Sequence, residues 1–256
     1  MNEDDKIGAR SNSKTPNARD HQPRGSFLLF PSPSMWRIIL SFVTWGQNTG
    51  CCHGSMVFCA TWILKRLRIL LSESGCVSYL FKDMGKTVIA SDFLNFPTVL
   101  ATATVANDKY RLDEAAVKRL LTPCGSGGPH FIEKTFEGIF YTVEDLRFLD
   151  RVSANVEKLH HEHQRALALA ALIRSCLKKQ PRGVFTVSGD LSHYDDGRRD
   201  LRLTIEEHFH EQVEIFNRIV FDNGRRHTVK RSDVFSLKPH GVDLVYLAAI
   251  RAASRR

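Results

Sequence analysis

Between residues 69 and 92 the sequence reads strand, tight turn, amphipathic helix, left-handed stop, strand. Ile69-Leu70-Leu71 is a short buried strand and Ser72-Glu73-Ser74-Gly75 a turn. Val77, Leu80, Phe81 and Met84 follow at i, i+3, i+4 and i+7, one face of a helix. Gly85 stands where helices commonly end in a left-handed conformation. Thr87-Val88-Ile89-Ala90 is a second buried strand, closed by Ser91-Asp92. This order predicts a βαβ unit, and with it a parallel sheet and an α/β fold.

Around that unit the chain is uneven. Residues 1–30 are polar and predicted to be disordered. Residues 31–68 are apolar without a period of two or 3.6. Ile38 to Leu64 carries no charge, which raises the question of a membrane span. Gly46, Gln47, Asn48, Gly50, His53 and Gly54 in its middle disfavour lipid, so a poorly organised N-terminal region is expected. No secretory leader is expected either, because the first apolar run starts at Phe27 behind a polar stretch. Helices are predicted over Tyr110–Leu121, over most of Val143–Lys179, and from the capping box Thr204-x-x-Glu207 to about Phe221. Two short strands follow, near 227–230 and 242–247.

Several residue groups could carry chemistry. Ser74 and Gly75 are small residues in a βα turn, suited to close approach by a ligand or to an ordinary turn. Asp92, just past the second strand, is placed as ribose-binding acids are in Rossmann-like sites, or is a plain strand-ending aspartate. Asp233-Val234-Phe235 reads by itself as a turn aspartate with a core phenylalanine. His160, His161 and His163, with His208 and His210, show no H-E-x-x-H, so a solvated polar helix face is expected and no metal. The six cysteines have no paired spacing and read as thiols in a reducing compartment. Lys178, Lys179, Arg182, Arg198, Arg199 and Arg202 surround Tyr194, either to neutralise phosphates and position a duplex or as a solvated loop. A net charge of +8 favours a polyanionic partner.

Longer strings narrow the choice. They are Gly75-x-Val77-Ser78-Tyr79-Leu80-x-Lys82-x-Met84-Gly85-Lys86, Ser91-Asp92-Phe93-Leu94-Asn95-Phe96, Ala166 to Arg174, Pro181-Arg182-Gly183, Tyr194 to Leu201, and Phe221-Asp222-Asn223-Gly224. Over roughly residues 70–247 the chain resembles the DNA adenine-N6 methyltransferases whose catalytic tetrapeptide is Asp-Pro-Pro-Tyr. The resemblance implies S-adenosylmethionine as methyl donor and double-stranded DNA as partner. It implies cofactor contacts at Ser74, Gly75, Asp92 and Phe93, with Asp233 on the adenine amine and Phe235 beside the ring. DNA contacts are implied at Arg182, Tyr194, Arg198, Arg199 and Arg202, in the segment where that family carries its target-recognition insert. The family's turn pattern, Asp-x-Phe-x-Gly-x-Gly, is altered: Ile69, Leu71 and Glu73 replace its aspartate, its aromatic and its first glycine. Glu73 is expected to hinder the cofactor by bulk and charge.

The tetrapeptide would follow Val242-Asp243-Leu244-Val245-Tyr246-Leu247, but Ala248-Ala249-Ile250 stands there. Codons chosen to spell Ala-Ala-Ile also spell Pro-Pro-Tyr one base later, so an out-of-frame ending and an inactive chain are the expectation. The predicted fold is α/β: a partial Rossmann-like methyltransferase sheet of about four strands with a mainly helical insert and a disordered N-terminus. The predicted parts are a poorly ordered 1–68, a cofactor-binding 69–108, a helical recognition insert 109–225, returning strands 226–247 and a tail 248–256. A cytoplasmic restriction-modification setting is expected. A non-catalytic DNA-binding remnant and a membrane-associated protein are the alternatives.

Overall fold

A computed structural model of the protein describes residues 64–123, 128, 130–180, 197–237 and 240–247. Strands β1 (Arg66–Leu70), β2 (Thr87–Asp92), β3 (Thr228–Arg231) and β4 (Leu244–Leu247) form one sheet in the order β3-β2-β1-β4. Every pairing is parallel, with Ile69 facing Ala90 on one side and Tyr246 on the other. The architecture is therefore α/β, a partial Rossmann-like sheet carrying helices.

Strand β1 starts at Arg66, earlier than the apolar run suggested, and Leu71 does not belong to it. Arg66 and Arg68 alternate with buried Leu67 and Ile69, and these charges hide the strand from a reading of continuous hydrophobicity. Leu71 leaves the strand at φ 55°. On the pleat, Leu67, Ile69, Val88 and Ala90 point to one face and are fully or almost fully buried. Asp243 fixes the register of β4: its Oδ2 accepts the Lys65 and Arg66 amides at 2.7 and 2.8 Å. These bonds hold its carboxyl below the usual range. Among the described residues β3 and β4 are the edges, and Val245 and Leu247 on β4 are exposed.

Helix α1 (Cys76–Asp83) fills the βαβ crossover; Gly75 before it lies at φ 77°. Helix α2 (Asn95–Ala101), continued by a π-helical stretch Thr102–Ala106, was not anticipated. Further helices are α3 (Glu114–Leu121), α4 (Phe131–Phe136), α5 (Val143–Val156), α6 (Glu162–Lys178), α7 (Arg199–Arg202) and α8 (Ile205–Ile219). The segment from Tyr110 starts its helix only at Glu114, because the Asp113 side chain caps there by accepting the Ala116 amide. The stretch 143–179, expected to be helical over most of its length, is made of two helices, α5 and α6, separated at residues 157–161. Both halves of the Thr204–Glu207 capping box are formed, and α8 ends at Ile219 rather than near Phe221.

The sheet and the helices share one continuous core. It runs from Leu67, Ile69 and Val88 through Ala103 and Val105 to Leu167, Phe209 and Phe216. Polar bonds cross it as well. Tyr79 Oη donates to the Ile219 carbonyl at 2.8 Å, and Asn217 bonds Leu112 through both its Oδ1 and its Nδ2. Cys76 and Cys176 are not joined in a disulfide, and burial pushes the Cys176 thiol up to about 12. The other four cysteines lie outside the described residues.

Candidate functional site

Parallel strands place all their carboxyl ends on one edge, and three of the four carry the residues singled out from the sequence. The turn Leu71–Gly75 leaves β1, Asp92-Phe93-Leu94 leaves β2, and Ser232-Asp233 leaves β3. Backbone hydrogen bonds join them: Ser72 N–H donates to the Ser91 carbonyl at 3.2 Å, and Ser232 N–H to the Asp92 carbonyl at 2.9 Å. Residues 160 positions apart in sequence thus meet at one edge.

Asp92 is buried, and its carboxylate holds this edge together. Oδ2 accepts the Glu73 amide at 3.1 Å and Oδ1 the Leu94 amide at 2.9 Å. Each oxygen retains a second lone pair, so a ligand hydroxyl could still be accepted. The turn that it holds is strained. Leu71 and Glu73 sit at φ 55° and 46°, a region that residues other than glycine rarely adopt. A Cβ on Gly75 would meet only ordinary contacts at 3.9 Å, so it is the left-handed φ that selects glycine there.

Apolar side chains surround the same edge. Phe93 is 61% exposed, Leu94 53% and Phe235 94%, values unusual for such residues unless a surface awaits a partner. The reading of Phe235 as a core residue is therefore corrected. Asp233 caps a 3-10 turn, its Oδ1 accepting the Phe235 amide at 3.0 Å, and this turn carries the ring outward. An acid that positions an exposed ring, beside an acid-anchored glycine turn, suits a ligand with a flat heterocycle and a polar sugar.

The basic segment is less uniform than its composition suggested. Arg182 and Tyr194 lie outside the described residues. Arg198, Arg199 and Arg202 are exposed on and beside α7. Arg199 pairs with Glu211, which raises the guanidinium and lowers the carboxyl. Lys178 and Lys179 hold the helices together: Lys178 lies 3.2 Å from Asp200, and Lys179 lies 2.7 Å from the buried Asp145. Asp145 also accepts the Ile205 amide at 2.8 Å. For these two lysines the packing role displaces the phosphate role.

Of the five histidines singled out from the sequence, His160, His161 and His210 are exposed, as a solvated polar face requires, while His163 is half-buried and His208 buried. His161 and His163 stack on Tyr110, with ring centroids 4.3 and 5.5 Å apart. His208 is fully buried and donates from Nε2 to the Asp200 carbonyl at 2.8 Å. No group of three or more potential metal ligands occurs among the described residues.

Sequence reading missed one buried network. Lys82 is fully buried, its Nζ donating to the Thr104 and Asn107 carbonyls at 3.1 and 2.7 Å and lying 4.7 Å from the Phe221 ring centre. Burial lowers it to about 8, opposed by Asp108 and Asp222. Asn223 donates to the Lys82 and Lys86 carbonyls and accepts from His227 Nε2 at 2.9 Å. Val88 N–H donates to His227 Nδ1, which fixes a neutral ring, and burial lowers that histidine to about 4. Two of the quoted strings, Lys82 to Lys86 and Phe221 to Gly224, are thus halves of one structural joint.

The chain is 32% identical over 207 residues to the type II methyltransferase M2.HphI of Haemophilus parahaemolyticus. What it resembles is a methyltransferase. The similarity covers 73% of this chain and 61% of that protein, so the chain spans about three-fifths of its relative's length. No family model matches, and no solved structure matches.

Proposed function

We propose that the chain carries the cofactor-binding and target-recognition parts of a site-specific DNA adenine-N6 methyltransferase, with S-adenosylmethionine as methyl donor and duplex DNA as substrate. The observation that supports this reading is the shared carboxyl edge, where the turn with Ser74 and Gly75, the end of β2 with Asp92 and Phe93, and the end of β3 with Asp233 and Phe235 follow one another. Similarity to a type II methyltransferase supports it. Gly75 and the Ser74 backbone would flank the amino-acid part of the cofactor, Asp92 would accept its ribose hydroxyls, and Phe93 and Phe235 would enclose the adenine with Asp233 on its amine. Restriction-modification in the cytoplasm is the setting that goes with this reading.

Adenine N6 needs acceptors for its two hydrogens before its lone pair can attack the sulfonium methyl, and the target base must leave the duplex. In this sequence Ala248 follows β4, and a methyl side chain accepts nothing. The chain as given is therefore proposed to bind rather than to methylate. A purely duplex-binding role is the second reading, favoured by Glu73, whose carboxylate sits in the cofactor turn.

Calorimetric titration of S-adenosylmethionine into the whole chain, beside labelled-methyl transfer to unmethylated duplex, tests both. Weak cofactor binding without label transfer is expected. N6-methyladenine in the product would overturn the inactivity. Absence of cofactor binding both to the wild type and to Glu73→Gly would remove the methyltransferase reading and leave the second one.

A further inference from the structure

The run Arg225-Arg226-His227-Thr228-Val229-Lys230-Arg231 leads into and along the edge strand β3, with no carboxylate between Asp222 and Asp233. Arg225, Arg226, Lys230 and Arg231 are all exposed. Among the described residues none of the four lies within ion-pair distance of an acid. Arg231 Nε donates to the Phe93 carbonyl at 3.2 Å, which orients the guanidinium without neutralising it. Lys178, Lys179 and Arg199 by contrast are matched to Asp200, Asp145 and Glu211.

We infer that this β3 ridge is a second contact with the DNA phosphate backbone, beside the exposed arginines of α7; the inference rests on duplex DNA being the substrate proposed above. At about 3.3 Å per residue β3 itself covers roughly 10 Å, and Arg225 and Arg226 precede it, so the four cations are spread over more than one phosphate spacing. Its upstream end opens on a cavity of about 720 Å³ that Lys109, Tyr110 and His163 also line. Asp108, Asp222 and Glu162 lie in the same wall, and the first two act on the buried Lys82. Protection of an open sheet edge accounts for Lys230 but not for Arg225 and Arg226, which precede the strand. A membrane surface fits less well, because the ridge has only half-buried Val229 to insert.

Binding of a short labelled duplex to the full chain, followed by anisotropy across a salt series, decides the matter. The variant Arg225→Gln/Arg226→Gln/Lys230→Gln should bind more weakly at every salt concentration. Its slope of log affinity against log salt should be shallower by about 2.7, from three contacts at about 0.9 each. Arg225→Lys/Arg226→Lys/Lys230→Arg should keep the wild-type slope, which shows that charge and not folding is measured. An unchanged slope in the glutamine variant would overturn the ridge and leave the proposed function standing. No wild-type binding at low salt would overturn both. Stronger wild-type binding to phosphatidylserine vesicles than to duplex would reassign the ridge to a membrane.

Discussion

Glu73 shows how one side chain can oppose the backbone that bears it. Its amide is held by Asp92 Oδ2 and its φ is 46°, so the turn requires a left-handed residue at this point. A residue with a Cβ pays about 1–2 kcal/mol for that conformation, and glycine returns roughly 0.5–1 kcal/mol of it as unfolded-chain entropy. Glu73→Gly should therefore raise the urea unfolding free energy by about 0.5–1 kcal/mol. Glu73→Ala, which keeps the strain, should leave it nearly unchanged. The glycine variant should also tighten S-adenosylmethionine in calorimetry, because bulk and negative charge leave the turn together. Equal stability of the alanine and glycine variants would refute the strain.

At the scale of elements, legibility followed the apolar pattern and failed where other chemistry shaped the chain. The βαβ unit was readable because Val77, Leu80, Phe81 and Met84 repeat with helical spacing between two apolar strands. The α8 start was readable from Thr204 and Glu207 alone. Helix α2 and its π continuation were not, since Pro97, Thr98, Val99, Thr102, Thr104 and Val105 are weak helix formers, in a segment held by the burial of Leu100, Ala101, Ala103 and Val105 in the core. At the site, Asp92 was visible because an acid at a strand end is a local signal. The outward turn of Phe235 was not, because it depends on Asp233 capping a single 3-10 turn. The burial of Lys82 was not legible because its acceptors, the Thr104 and Asn107 carbonyls, come from another element. Strand β4 likewise depends on one side chain, Asp243, which takes two amides of β1's leading end. Asp243→Ala should speed hydrogen exchange at Lys65 and Arg66 and fray β4, while the Val88 amide, bonded to His227, keeps its protection. Unaltered exchange at both positions would show that the β1–β4 ladder stands without the clamp.

For the whole molecule, the decisive bonds join distant parts: Tyr79 to Ile219, Asn223 to Lys82, and Arg111 to the Asn217 and Val220 carbonyls. Sheet and helices therefore share both core and polar joints, and the ionisation of one buried group should be felt by all. Lys82 titrates near 8 when folded, against an ordinary value of 10.5. Across that window the unfolded chain binds the proton that the folded chain has released, so stability rises with pH. Allowing for screening, the gain from pH 7 to about 9 is on the order of 1 kcal/mol. Burial raises the Tyr79 and Tyr141 hydroxyls far above their usual value and the Cys176 thiol to about 12, so from about pH 9 ionisation of these groups in the unfolded chain reverses the trend. The thermal midpoint of the wild type should thus climb from neutral pH to a maximum at about pH 9. Lys82→Met, which fills the same site without a proton to lose, should lack that rise between pH 7 and about 9. A wild-type profile as flat as that of the variant would mean that Lys82 keeps an ordinary proton affinity inside the fold.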